Sequence, residues 1–428
     1  MNIKTRLKYF DPSTIALIWE GRAFTYGQLI LCMEMYRRER WKPGSIVSIY
    51  GNSWLMNLAK LFFMIDAECI VVPMVQQRSP QTYAIEHEHY CTLRKRMVPG
   101  LVLFTSGSSG VPKVAVHDLK LLLSKWKIHD TEGWKPKKAL RTMFFLGFDH
   151  IGGLNTIFHV LFNGGTLVIP SSRQPAEVAE QINRHSVEVL PTSPTFLRML
   201  LMAYDGELPS LKLITYGTEP MPETTLKSIQ ERWPAIELKQ TYGLTELGIL
   251  GSRSKDGSTW MQVGGAGYET KIVESMLYIK AKASMLGYLN APSPVIDGWY
   301  STGDIVEQEG EWIRIVGRKS EFINVGGDKV HPTEIEDRLL EMAQIDDCMV
   351  EGIENPILGQ AVRATVKLKQ NIQIEKYELI HLIKTYLRNS GLSPYQIPQQ
   401  IIVTDQPLHN ERLKKARANV HIQEANEE

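Results

Sequence analysis

Apolar runs and amphipathic stretches alternate along most of the chain. Ser45–Tyr50 and Ala67–Pro73 are short, nearly continuous apolar runs that predict buried strands, and the spacing between them predicts a helix from about Ser53 to Met64. Leu101–Phe104, Gly165–Ile169, Val187–Leu190 and Leu211–Thr215 continue the strand series, with a helical segment near Asn155–Phe162. Strands alternating with helices predict an α/β class built on parallel sheet. After about Gly251 the pattern changes. Short strands broken by glycine, such as Met276–Ile279 and Trp312–Val316, predict a β-rich unit that closes the large domain. A smaller α+β unit follows. Its helices are predicted at Pro332–Met342, with proline at the start and acidic residues in the first turn, and at Glu375–Asn389, before a strand at Gln400–Thr404. The boundary falls in Gly317–Phe322, giving a large domain over 1–316 and a small one over 323–428.

A chain of 428 residues exceeds one ordinary core, which fits this division. Lys plus Arg total 48 against 47 for Asp plus Glu, so there is no basic footprint for nucleic acid or an anionic membrane. The four cysteines (Cys32, Cys69, Cys91 and Cys348) are far apart and predict reduced thiols rather than a disulfide or zinc framework. Glu86–Cys91 (EHEHYC) contains metal-ligand types in a spacing that matches no zinc site, and is expected to be an exposed polar segment. The first residues lack a secretory pattern, and no stretch approaches the ~18 apolar residues of a membrane span. The expectation is a cytoplasmic enzyme without a membrane span.

Candidate chemistry begins at Phe104–Lys113 (FTSGSSGVPK), directly after an apolar strand. Small residues let several backbone N–H groups converge on one anion. Thr105, Ser106, Ser108 and Ser109 add hydroxyl donors around Gly107 and Gly110, and Lys113 adds positive charge. No GK[ST] ends the loop, so it is not a Walker loop. Taken alone, the composition also fits a flexible Gly/Ser linker.

The loop resembles the phosphate loop of the ANL superfamily of adenylate-forming enzymes (acyl-CoA and aryl-CoA synthetases, adenylation domains and luciferases), with Val114 in place of the closing glycine. Further motifs follow in the family's order. Tyr216–Pro220 (YGTEP) resembles the adenine-side loop, which implies nucleotide contacts from Gly217, Thr218 and Glu219. Gln240–Glu246 (QTYGLTE) resembles the YGxTE motif. The resemblance implies that Tyr242 stacks on adenine, Gly243 lies beside the nucleotide and the acyl group, Thr245 donates to the α-phosphate, and Glu246 holds Mg²⁺. Trp299–Asp304 (WYSTGD) resembles the family's TGD motif, implying that Asp304 accepts from the ribose hydroxyls. Gly317-Arg318 resembles the following GR motif, with Arg318 on ribose or phosphate. Leu286–Asn290 (LGYLN) resembles a structural segment and carries no assigned chemistry. The resemblance covers nearly the whole chain. It implies a large domain with parallel-sheet α/β subdomains and a β-rich subdomain, and a small mobile cap.

Residues 317–322 resemble the family hinge, with Ser320 where relatives carry Asp or Lys. Gly326-Gly327 would line the thiol's approach. A lysine near the C-terminus bridges substrate carboxylate and phosphate in relatives, because bringing two anions together needs a cation. Here Pro407–Arg417 (PLHNERLKKAR) lacks the usual glycine. Lys414 is assigned to that task, with Lys415 as the alternative.

Phe148–Leu154 (FDHIGGL) can match amino-acid adenylation domains through Asp149 or acyl- and aryl-CoA synthetases through His150. The second alignment needs no gap before Asn163-Gly-Gly165, so His150, with Gly217 and Gly243, is expected at the acyl pocket. The acid is then fatty or aryl and lacks an α-amine. The expected reaction uses ATP and Mg²⁺ to make acyl-AMP, then transfers the acyl group to the thiol of CoA or of a carrier protein's phosphopantetheine. Relatives have a longer region before the phosphate loop, so the chain is expected to be a short form. An amino-acid adenylation enzyme, or a nucleotide-binding member that has lost catalysis, remains the alternative.

Overall fold

The computed structural model describes residues 2–74, 86–105, 112–126, 139–265, 267–370, 372–409 and 415. The predicted strands and helices are present with small shifts at their ends. Two sheets form the α/β part. A seven-stranded sheet runs in the order Glu237–Gln240, Leu213–Tyr216, Val189–Thr192, Arg141–Met143, Thr166–Val168, Ile15–Trp19, Arg22–Thr25. Its pairings are parallel except for the last, where the N-terminal hairpin closes the edge. The five-stranded sheet contains Ile46–Ile49, Ile70–Pro73 and Gly100–Thr105 in parallel.

The next strand, Lys113–Asp118, reverses direction and pairs antiparallel with Gly100–Thr105, so Thr105 lies opposite Lys113. Only seven residues separate these two, too few for a parallel crossover. The candidate phosphate loop is therefore a hairpin connection across a strand pair. Helix Trp54–Asp66, capped by the Ser53 side chain, packs between the sheets. Its buried face carries Leu58, Leu61, Phe62 and Ile65, and Phe62 meets Phe158 and Phe162 of a second helix at centroid distances of 6.2 and 6.0 Å. Burying each such side chain stabilises the fold by about 1.5–3 kcal/mol.

That second helix spans Ile151–Leu161 and starts four residues earlier than the pattern indicated. His150 is its N-cap: Nδ1 accepts from the Gly152 N–H at 3.0 Å. Gly152 and Gly153 weaken the apolar period at this end, which hides the first turn in the sequence.

Beyond Gly251 the strands form an antiparallel sheet in the order Ser252–Ser254, Met261–Val263, Trp312–Arg318, Trp299–Glu309, Met276–Ala281, Tyr268–Val273. A short 3₁₀ turn, Lys319–Glu321, links this sheet to the C-terminal one. There the hairpin Ile345–Asn355/Gly359–Leu368 pairs with Ile323–Val325 and, in parallel, with Gln400–Val403, and helices Pro332–Leu340 and Lys376–Asn389 pack their apolar faces into the same core.

Candidate active site

Sheet geometry brings four separate motifs together. Tyr242 and Gly243 open a tight hairpin, Gly243–Leu244/Gly248–Ile249, whose turn carries Thr245 and Glu246. A Cβ on Gly243 would lie 2.8 Å from the Gly248 carbonyl oxygen and 2.6 Å from Ile249 Cδ1, so the close strands exclude a side chain. Gly217 is held in the same way, with a Cβ there 2.5 Å from the Thr241 carbonyl oxygen. The following Thr218 has φ +78°, a backbone conformation that a β-branched residue rarely adopts. Strain of this kind collects at functional sites. The Glu219 carboxylate accepts from the Thr195 N–H at 2.8 Å and caps helix Pro194–Ala203.

Asp304, on the long strand Trp299–Glu309, is 4% exposed. Its Oδ2 accepts from the Tyr242 hydroxyl at 2.5 Å and its Oδ1 from Arg318 Nε at 3.1 Å. Its backbone N–H donates to Thr302 Oγ1, which in turn donates to the Leu277 carbonyl, so the carboxylate is held from behind. Burial and the neighbouring Asp304 charge push the Tyr242 phenol well above its usual range, which keeps it a neutral donor. Burial alone would lower Arg318, but the Asp304 carboxylate outweighs it and raises the guanidinium further. Each Asp304 oxygen keeps a second lone pair toward a diol.

Glu246 is 8% exposed, and its Oε1 accepts from the Tyr288 hydroxyl at 2.5 Å. Burial and Glu246 raise the Tyr288 phenol, which stays protonated and donating. Lys113 Nζ lies 5.4 Å from the centre of the Tyr288 ring, so Tyr288 neighbours both Lys113 and Glu246. Tyr288 belongs to the short strand Gly287–Tyr288, which pairs with Lys113–Asp118. Asn290 pins the end of the candidate phosphate loop: Oδ1 accepts from Val114 N–H and Nδ2 donates to the Pro112 carbonyl, both at 2.9 Å. The LGYLN segment thus carries site residues that sequence reasoning passed over, and its tyrosine and asparagine were the available signal. His117 was also missed. It is fully buried one strand away, against the Thr245 backbone, and burial pushes its imidazole down to about 4 while the Thr245 contact acts the other way.

The structure therefore gathers Thr105, Lys113, Tyr242, Glu246, Asp304 and Arg318 around one region. Ser106, Gly107, Ser108, Ser109, Gly110 and Lys414 lie outside the described residues. Lys415 is described. Its Nζ is 2.7 Å from Oε2 of the buried Glu336, and Lys415 itself is partly buried. Burial lowers the ammonium, but Glu336 overrides this and raises it. Lys415 is thus committed to a carboxylate within the C-terminal unit. Ser320 sits exposed in the 3₁₀ turn, and Gly326-Gly327 form the exposed turn between Ile323–Val325 and Asp328–Val330, with φ of +62° and +102°. His87, Glu88 and His89 place ligand atoms within 4.8 Å of one another. His87 caps helix Glu88–Arg96 with Nδ1 on the His89 N–H. No helix among the described residues is long and apolar enough to cross a membrane.

Comparison with known proteins names the class to which this fold belongs. Residues 60–288 match the family model of AMP-binding enzymes, and residues 334–415 match that of the AMP-binding enzyme C-terminal domain. The chain belongs to the AMP-binding enzyme family, within the ANL superfamily. It is 25% identical over 334 residues to an indoleacetate–CoA ligase of Aromatoleum aromaticum, covering 72% of this chain and 64% of that one. It is 24% identical to a 2-succinylbenzoate–CoA ligase of Listeria monocytogenes, covering 71% and 66%. The chain spans 60–64% of the length of several such relatives. In fold it resembles the o-succinylbenzoate CoA synthetase of Bacillus subtilis in complex with its acyl-adenylate, with a TM-score of 0.77, 20% identity and 97% of each chain covered.

Proposed function

We propose that this protein activates a fatty or aryl carboxylic acid with ATP, forming acyl-AMP and pyrophosphate, and then passes the acyl group to the pantetheine thiol of CoA or an acyl carrier protein. The observation that carries this reading is the joint placement of Lys113, Glu246 and Asp304 from three distant motifs. It supplies a cation, a buried carboxylate and a diol acceptor in one neighbourhood, linked through Tyr288, Tyr300 and Tyr242. Asp304 holds the ribose, with the Tyr242 hydroxyl and Arg318 fixing its carboxylate, while the Tyr242 ring stacks on adenine and the strained Thr218 loop carries the adenine edge. The Phe104–Lys113 loop, with Thr245, takes the phosphates. Glu246 offers hard oxygen donors suited to Mg²⁺. The bound ion would neutralise phosphate charge, and Tyr288 orients the carboxylate that holds it.

His150, with Gly217 and Gly243, borders the acyl group. Residues 1–316 form the nucleotide-binding lobe and 323–428 a cap that swings about 317–322, with Ser320 in the pivot. Gly326-Gly327 turn toward the thiol in one pose. Lys414 supplies the bridging cation for adenylation, a reading supported by the commitment of Lys415 to Glu336. Acid-dependent ATP–pyrophosphate exchange, followed by mass detection of the loaded thiol, tests the proposal. Exchange with at least one fatty or aryl acid is expected. Exchange with amino acids alone would instead assign the chain to amino-acid adenylation. Because Leu413 stands beside the assigned lysine, nucleotide binding without exchange is the second reading, and it predicts ATP binding with no exchange across the panel.

A further inference from the structure

A cavity of about 1100 Å³ lies between one face of the seven-stranded sheet, helix Ile151–Leu161 and the Gly243–Ile249 hairpin. It begins beside the nucleotide motifs, where Thr215, Thr241 and Leu247 line it, and runs down the strands to Leu140 and Thr142. The helix N-terminus, His150, stands at the end of the sheet that carries Gly217 and Tyr242, as parallel α/β winding requires. Helical rise places Asn155 about 8 Å and Phe162 about 18 Å farther along the axis from His150.

Among the described residues the charge of this wall is one-sided. Its described lining contains Arg6, Lys125, His159, Lys239 and Lys282, and neither Asp nor Glu. Lys239 and Lys282 are exposed at the rim. Arg6 is fully buried at the far end, where Nε donates to the Phe162 carbonyl at 3.2 Å. Lys125 stands between them. Its ammonium donates to Asn155 Oδ1 at 2.6 Å, lies 3.3 Å from the Ile249 carbonyl and 4.4 Å from the Trp126 ring centre. Those partners are all neutral. The residue is exposed, yet desolvation by the groups packed around it lowers its ammonium to about 8. A cation held among neutral groups gains most from an anion brought by the ligand. A pocket for plain hydrocarbon has no use for one, because the acyl chain would desolvate it without compensation.

We infer that the acid taken by this site carries a second anionic group remote from the reacting carboxylate, and that Lys125 recognises it. The inference rests on the adenylation reading above and narrows its substrate class to dicarboxylic or similarly anion-tailed acids. The apolar walls, Leu122, Leu213 and Val160 among them, hold the linking carbons.

The test compares matched acids in ATP–pyrophosphate exchange with the full chain: hexanoate with adipate, decanoate with sebacate, and 3-phenylpropanoate with its ring-carboxylated counterpart. The carboxylated member of at least one pair should show kcat/KM about tenfold or more above its plain partner. Lys125→Met should collapse that ratio toward one or below it, and Lys125→Arg, which keeps the charge, should retain it. Equal or better use of every plain acid overturns the inference alone. So does a Lys125→Met variant that keeps the ratio in exchange; a raised KM for CoA, read separately in thioester formation, would then assign the cation to the acceptor's phosphates. No exchange with any acid would remove the adenylation reading, and this inference with it.

Discussion

Replacing Asp347 by Asn should release the C-terminal unit from the large one. Asp347, on strand Ile345–Asn355, meets Arg198, on helix Pro194–Ala203, with Nη2 2.6 Å from Oδ1 and the two side chains only 10% and 9% exposed. Arg198 Nε and Nη1 have no hydrogen-bond partner among the described residues. The same Asp347 oxygen also accepts from the Cys348 N–H at 2.6 Å, which fixes it. Asn keeps the shape and removes the charge, leaving a buried guanidinium unpaired. Breaking a buried pair in this way costs about 3–5 kcal/mol. Glu219 also attracts Arg198 and offsets part of the loss, so the low end applies. About 3 kcal/mol shifts the balance between this arrangement and a released one by roughly a hundredfold. Trypsin cleavage after Lys319, whose 3₁₀ turn must unwind to enter the protease, reads that balance when release of the unit frees the turn and reclosing outpaces cleavage. The Asp347→Asn chain should be cut tens of times faster than the parent. An Arg198→Met/Asp347→Leu double variant, which buries no charge, should recover most of the resistance. A change below about threefold for the single variant, or a double variant as fragile as the single, would refute the assignment of this pair as the joint's principal lock.

Tyr288→Phe removes one hydroxyl from Glu246 and should lower exchange activity by about 10–100-fold with little change in melting temperature, since carboxylates that hold metals depend on such orienting partners; unchanged exchange would detach Glu246 from the reaction. His117 has a folded pKa near 4 against an unfolded value of about 6.5, so its stabilising contribution is complete above pH 6.5 and is lost as pH falls toward 4, roughly 2 kcal/mol by pH 5. Urea unfolding of the parent and of His117→Leu at pH 7.5 and 5 isolates this slope, because Asp66, raised to about 6 by burial with a slope of opposite sign, is common to both proteins. Lys415→Met strands the buried Glu336 carboxylate and should destabilise the C-terminal unit by about 3 kcal/mol in urea. Lys414→Ala should instead abolish exchange, leave that stability unchanged and still permit thioester formation from supplied acyl-AMP. The reverse pattern would exchange the two roles.

The alternation of apolar strands and amphipathic helices, and the order of the motifs at Thr105, Tyr216, Tyr242 and Asp304, were legible in the chain because each depends on neighbours a few residues away. Period and local turn chemistry are short-range properties, so Met276–Ala281 and Pro332–Leu340 could be placed within a few residues. The contacts that build the site are long-range. Tyr288 meets Glu246 across 42 positions and Tyr242 meets Asp304 across 62. Nothing local in LGYLN announces that its tyrosine will donate to a buried carboxylate; that follows only once Gly287–Tyr288 has joined the edge of Lys113–Asp118. The cationic wall is likewise invisible along the chain, since Arg6 and Lys125 share a cavity only because helix Ile3–Leu7 packs against the end of Ile151–Leu161. Lys414 and Lys415 are alike in sequence, and it took the burial of Glu336 beside one of them to give the two neighbours different electrostatic surroundings.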